Sequence, residues 1–387
     1  MPEALIAATA RTPIGRAHKG SLATERPDDL LAFALAETLA RVPELDPARI
    51  EDVIVGCGYP EQKQGRNVAR RAALLAGIPV SVPGVTVSRF CASSLQAVRL
   101  AFHAIAAGEG DAFLVGGVES VSSVDMTPRS EDEPHPRLTG GEGAICDAYI
   151  PMGMTAENVA ERYDVAREEM DRFAQRSQEL AVAAVEQGLF AREIVPYTTA
   201  AGATVAADDG PRPSSTYEKL AALDPVFKEG GRVTAGNACP LNDGAAAALV
   251  VSDRLAAELG IETRARVVAT AAAALEPEYM GVGPIEAVRT ALRRAGLTID
   301  DIDVFELNEA FAAQVLPVCE AVGIDPFGDR FNPLGGAIAL GHPFGMTGAR
   351  ILGTLLTALE QRDGRYGLET MCVAGGQGMA MVVERTV

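Results

Sequence analysis

Four segments of the 387-residue chain hold residue types that could do chemistry together. Cys91 stands in SRFCASSLQ, after an apolar run that reads as a strand over 84–88 and at the start of a helix expected over 91–107. A strand-to-helix turn can expose a nucleophile, and unpaired N–H groups at a helix N-terminus stabilise a thiolate. A free cysteine is nonetheless more often core packing, and Cys91 alone fits that reading as well. His342 stands in NPLGGAIALGHPFG, among Gly335, Gly336, Gly341 and Gly345, with Pro343 suited to a first helical position. The other three histidines look bland: His18 and His135 fall in polar loops and His103 mid-helix. A histidine beside Cys91 could take its proton. Cys372, in CVAGGQG, ends a strand at a glycine-rich turn; β-core packing explains it, although a thiol of pKa about 8.5 could also shuttle a proton. Asn308 opens NEAFA after a buried strand, where it reads as a helix N-cap.

These segments need a frame. Short apolar runs at 4–8, 52–57, 84–88, 112–118, 246–252, 303–307, 371–374 and 379–383 read as strands. Longer patterns at 27–41, 91–107, 167–188, 284–294, 308–322 and 343–359 read as helices, the first with Leu30, Ala34, Leu35 and Thr38 at helical spacing. The alternation predicts an α/β fold with buried, largely parallel sheets. A Pro-, Ser- and acid-rich stretch from about 120 to 241 breaks the rhythm and is expected to be a lid or arm built on loops. A weak internal repeat is also present. The helix 27–41 leads to IEDVIVGCG and the helix 284–294 to IDDIDVFELN; Cys91 and His342 each follow by some forty residues, and LVGG and VAGG end the next strands. Two facing halves would bring both helix starts to one centre, although two unrelated α/β segments could share such spacing.

Composition removes whole function classes. Thirty-four Lys+Arg against 52 Asp+Glu give a net charge of −18, which argues against nucleic acid and polybasic membrane binding. At 48% hydrophobic and 22% charged, the chain reads as an ordinary globule of two or three domains. No signal peptide, membrane-length apolar run, CxxC, HExxH or GxGxxG is apparent. Six dispersed cysteines suggest reduced thiols in a cytoplasmic protein, with no metal.

Taken as an ordered set, SRFCASSLQ, NEAFA, GGAIALGHP and CVAGGQG resemble the thiolase family, and TAENVA at 155–160 and VTAGN…PLNDGAAA at 233–248 resemble further family stretches. The resemblance covers essentially the whole chain. It implies a layered αβαβα thiolase fold of two similar halves, an N-terminal domain over 1–265 with a loop domain inserted at about 120–241, and a C-terminal domain over 266–387. It implies an acyltransferase that splits or joins 3-ketoacyl-CoA with CoA, as a homodimer or homotetramer and without a tightly bound cofactor. Cys91 would be the nucleophile, His342 its base and Cys372 the acid/base. One oxyanion site would use His342 and a water held by Asn308, the other the backbone N–H groups of Cys91 and Ala374. Two such sites suit chemistry that passes through charge on thioester oxygens. Arg212, Leu223, Phe227, Ala235 and Cys239 fall on CoA-contacting positions, Met152 on the acyl pocket, and Ala310 and Phe311 on substrate-contacting positions.

Three departures bear on substrate. Cys239 stands where a serine is common, Ala374 replaces a glycine, and Pro151 stands where acetoacetyl-specific relatives carry a histidine. With a covering segment at about 124–148 unlike the compact acetyl-specific version, these favour a broad or longer-chain degradative enzyme. An acetoacetyl-CoA-specific biosynthetic thiolase is the alternative, and a non-catalytic acyl-CoA-binding protein is the alternative of another class.

Overall fold

The computed structural model describes residues 2–125 and 134–386; part of the acid-rich stretch, 126–133, lies outside the described residues. Nine strands form its spine: β1 (Ala4–Arg11), β2 (Asp52–Cys57), β3 (Gly84–Val87), β4 (Ala112–Ser120), β5 (Asn242–Ser252), β6 (Ala265–Ala274), β7 (Val304–Leu307), β8 (Tyr366–Val373) and β9 (Gln377–Arg385). They run in the order β7-β8-β9-β6-β1-β5-β4-β2-β3, and the two-residue strand Gly15–Arg16 pairs with β5.

The internal repeat is real. In one half β2 runs parallel to β4, β4 antiparallel to β5, and β5 antiparallel to β1. In the other, β7 runs parallel to β8, β8 antiparallel to β9, and β9 antiparallel to β6. The halves meet where Leu5 and Ile6 of β1 pair with Arg266 and Ala265 of β6.

The expectation of largely parallel sheets fails. Only β2 with β3 and β4, and β7 with β8, are parallel. Helices cover both faces, so even antiparallel strands read as unbroken apolar runs, which carry no direction. Between β8 and β9 the turn at Gly375 and Gly376, both at φ +76°, folds the chain straight back.

Three buried apolar clusters fill the gaps between layers. Helix α1 (Pro27–Ala40), with Pro27 opening it and Asp28 and Asp29 in its first turn, packs outside the N-terminal half. Helices α2 (Ser93–Ala107) and α7 (Thr347–Arg362) pack together between the halves, burying Leu95, Val98, Leu352 and Leu355. Helices α5 (Pro284–Ala295) and α6 (Ala312–Val322) cover the other outer face. This gives the expected αβαβα layering. With its leading turn, Phe90–Ala107 is long and apolar enough to cross a membrane by length and composition, but its apolar residues point into this core.

The insertion combines loops with helices, among them the helix expected over 167–188. Helices α3 (Met152–Arg162) and α4 (Arg167–Glu186) bury Ala156, Val159 and Phe173 against Phe305, Phe311 and Phe331 of the C-terminal half. Among the described residues, the polar stretch at 206–216 runs outside helix and strand.

Candidate active site

The start of α2, the start of α7 and the β8–β9 turn converge. The 3-10 turn Phe90–Ala92, which carries Cys91, packs against the turn Phe344–Met346 just beyond His342, and also against β8. Phe90 holds φ +43°, a left-handed conformation rare for a bulky residue, immediately before the cysteine. Gly345 lies where a Cβ would strike the carbonyl oxygen of Val118 at 2.4 Å, so the second turn seats only without a side chain.

His342 is buried and held on three sides. Its backbone N–H donates to Asn242 Oδ1 at 2.9 Å. Its Nδ1 lies 2.7 Å from Thr347 Oγ1, whose own proton goes to the Pro343 carbonyl at 2.8 Å. Thr347 can therefore only accept, so Nδ1 carries the imidazole proton and Nε2 the lone pair. Asn308 Nδ2 donates to that Nε2 at 3.3 Å. Burial, helped by the charge of Arg350, pulls His342 down to about 3, which keeps it neutral. A neutral imidazole with a basic Nε2 can accept a proton.

Asn308 is not a helix N-cap. The helix begins at Ala312 with Phe311 at the cap, and Asn308 instead extends β7 through its N–H to Thr370 O at 3.0 Å. Its Oδ1 is buried without a hydrogen-bond partner among the described residues. An acceptor left open beside Nε2 is what a held water would need.

Cys91 is buried, and burial together with the charge of Glu119 pushes its thiol up to about 12. Against that, the N–H groups of Ala374 and of Cys91 itself face the sulfur and favour its charged form. Cys372 and Cys239 both feel the charge of Cys91, and burial raises both thiols. The Cys372 S–H donates to Gln314 Oε1 at 3.4 Å.

Seven of the remaining sequence-predicted residues gather into one wall. Cys239 N–H donates to Ala310 O at 3.0 Å, and Ala238 bridges to Phe311. The ring of Phe227 meets Phe311 edge-on at 6.0 Å and lies on Gly153, next to Met152. Leu223 lies on Gly236, beside Ala235. Leu223 and Phe227 are 39% and 42% exposed, an apolar lip with no described side chain over it. Arg212 is exposed on the loop that leads into Tyr217–Ala221, anchored by its backbone N–H to Gln178 Oε1 at 2.8 Å.

Sequence reasoning missed Glu119, Thr347 and Gln314. Glu119 is fully buried and accepts from the backbone N–H groups of Gly58, Tyr59 and Gly345 and from Gln64 Nε2. It thereby fastens the turn after His342 to the end of β2. Nothing in VGGVES marks that role; its partners come from three distant segments.

Comparison with known proteins gives the family and the fold. The family model described as thiolase, N-terminal domain matches residues 4–254, and that described as thiolase, C-terminal domain matches 261–385. A Pseudoalteromonas translucida protein named 3-ketoacyl-CoA thiolase is 47% identical over 381 residues, 97% of each chain. An Escherichia coli 3-oxoadipyl-CoA/3-oxo-5,6-dehydrosuberyl-CoA thiolase is 45% identical over 405 residues, the whole of both. Among solved structures, Bacillus anthracis acetyl-CoA acetyltransferase superposes with a TM-score of 0.91 at 37% identity, covering 100% of this chain and 99% of that one.

Proposed function

This chain belongs to the thiolase family, and on that premise we propose that it is an acyltransferase that cleaves 3-ketoacyl-CoA with CoA in the degradative direction. The observation that carries the reading is a neutral His342, its Nε2 left without a proton, beside a turn packed against the one that carries Cys91, whose sulfur is faced by two backbone N–H groups. In this reading Nε2 takes the Cys91 proton, and the thiolate attacks the 3-keto carbon. The resulting imidazolium, with a water held by Asn308, stabilises the oxygen on which charge gathers. The C2–C3 bond breaks, Cys372 protonates C2, and acetyl-CoA leaves. CoA then attacks the acyl-Cys91 thioester, and the N–H groups of Cys91 and Ala374 support that second oxyanion.

CoA and acyl-CoA are the substrates. The wall of Met152, Leu223, Phe227, Ala235, Cys239, Ala310 and Phe311 suits a narrow pantetheine arm, and Arg212 the nucleotide phosphates. A reducing, cytoplasmic setting suits six free thiols. A homodimer fits the open edge of the sheet at β3, where Leu74, Leu75, Val80 and Val85 are exposed.

Mass spectrometry after incubation with 3-ketoacyl-CoA tests the chemistry: an acyl adduct is expected on the peptide holding Cys91. Its absence would favour a binding-only protein. Thiolysis across a chain-length series that includes 3-oxoadipyl-CoA tests the substrate, and turnover of acetoacetyl-CoA alone would sink the degradative assignment.

A further inference from the structure

Gln314 belongs to no role proposed above, yet its amide touches the acid/base. It sits in the first turn of α6, 3% exposed, and its Oε1 accepts the Cys372 S–H at 3.4 Å. Its Nε2 is equally buried and has no hydrogen-bond partner among the described residues. A buried amide N–H left unpaired is costly, so its retention points to a partner that is present only in part of a cycle. The amide has little freedom to move away. A Cβ on Gly281 would come within 2.3 Å of Gln314 Cδ and 2.5 Å of Nε2, so the Gly281 backbone closes that side. The titratable groups that face Cys372 are the thiols of Cys91 and Cys239, and neither offers a positive charge to a Cys372 thiolate.

We propose that Gln314 is a positioning residue for Cys372, with one setting for the thiol and one for the thiolate. This rests on the roles given above to Cys91 and Cys372. With Cys372 protonated, Oε1 accepts the S–H and fixes where the proton points. When the C2–C3 bond breaks, its electron pair goes to C2, the S–H proton joins C2, and Cys372 is left as thiolate. Rotation of the Gln314 amide about its last side-chain bond then brings an Nε2–H to the sulfur. Incoming CoA–SH returns a proton to Cys372 as its own sulfur attacks the acyl-Cys91 thioester. The Cys91 sulfur leaves, recovers the proton held by His342, and the amide swings back.

Two exchange reactions separate this role from a structural one. Loss of the acetyl-CoA α-hydrogens to D2O, followed by NMR, reads Cys372; transfer of the acetyl group from acetyl-CoA to dephospho-CoA reads Cys91. Gln314→Met keeps the length of the side chain and neither accepts nor donates strongly. It should slow α-hydrogen exchange, in which Cys372 moves the proton of the reacting carbon, roughly ten- to a hundredfold, the loss of a hydrogen bond to a charged group, and slow acetyl transfer, in which Cys372 only relays the thiol proton of CoA, by a smaller factor. Gly281→Ala displaces the amide without altering it and should repeat that selective loss. Gln314→Glu sets a carboxylate against the developing thiolate, so alkylation of Cys372 by iodoacetamide, read by mass spectrometry, should move to higher pH while that of Cys91 does not. Equal falls in both exchange reactions, or an unchanged α-hydrogen exchange in Gln314→Met, would overturn the proposal. If wild-type protein shows neither exchange, the failure lies instead with the roles of Cys91 and Cys372.

Discussion

Arg89 donates from Nη1 to Gln377 Oε1 at 2.7 Å, across 288 positions of the chain. Gln377 Nε2 in turn donates to Ala374 O at 3.3 Å, and Arg89 Nε is held by Gln96 at 3.0 Å. The bond therefore joins the turn that carries Cys91 to the turn whose Ala374 N–H faces its sulfur. The two turns come from different halves, and this bond ties them directly.

Cutting this brace should loosen one oxyanion donor without removing it. Direct loss of such a donor costs about a hundred- to a thousandfold in rate. Gln377→Leu should fall short of that, at roughly ten- to a hundredfold in kcat, with the KM for acyl-CoA little changed, since the wall that would hold pantetheine is untouched. Steady-state thiolysis kinetics check this; a rise in KM with kcat intact would mean that the brace serves binding instead.

Among the described residues Thr347 is the only acceptor for the Nδ1 proton of His342. In Thr347→Val that buried N–H loses its partner, at a cost of about 1–3 kcal/mol, and the tautomer with its proton on Nε2 becomes competitive. Acylation of Cys91 should slow roughly ten- to a hundredfold by the same measure, and Thr347→Ser should restore it. A single-turnover measurement of acyl-enzyme formation decides; an unchanged rate in Thr347→Val would remove Thr347 from the argument.

What could be read from the sequence was mostly local. The strand–turn–helix around Cys91, the glycine-rich turn at His342 and the turn after Cys372 all carry their signals within a few residues. β6 escaped because ARVVATAAAA is alanine-rich, and alanine is depleted in strands; tertiary pairing with β1 and β9 imposes the conformation there. Asn308 looked like an N-cap because a polar residue after a buried strand usually is one, whereas the cap position falls three residues later. Glu119 reaches Gly345 across the two halves and Gln314 reaches Cys372 58 positions away, beyond any local spacing rule, whereas Thr347 lies only five residues from His342 but carries no signal in its residue type. The left-handed Phe90 is likewise set by the packing around it.

Burial of Cys91 and His342 as a neutral pair should shape stability on both sides of neutrality. The folded value of His342, about 3, lies below its ordinary 6.5. The unfolded chain therefore binds more protons between those values, and stability present above pH 6.5 is lost as pH falls towards 3. For Cys91 the folded value, about 12, lies above the ordinary 9.0. Here the folded chain keeps a proton that the unfolded chain releases, so stability present below pH 9 is lost as pH rises towards 12. Urea unfolding should show the stability of wild type relative to His342→Asn shrinking on acidification below pH 6.5. Relative to Cys91→Ser it should shrink above pH 9. Differences that stay constant across both ranges would show that these groups are not held neutral.

The net charge of −18 sets the last expectation. CoA is itself anionic, so the overall field of the protein opposes its approach, and the exposed Arg212 is a local cation that would offset it. At an ionic strength on the order of 0.1 M the screening length falls to about 10 Å, which weakens the diffuse repulsion more than a contact at Arg212. The KM for CoA should therefore fall on adding modest salt. Arg212→Ala should raise that KM roughly three- to tenfold, as for an exposed ion pair worth about 1 kcal/mol, and should steepen the improvement with salt because only repulsion is left to screen. Thiolysis rates measured across CoA and salt concentrations test both parts. A KM that climbs steadily with salt in the wild type would mean that attraction, from Arg212 or from other cations, outweighs the field of the whole protein.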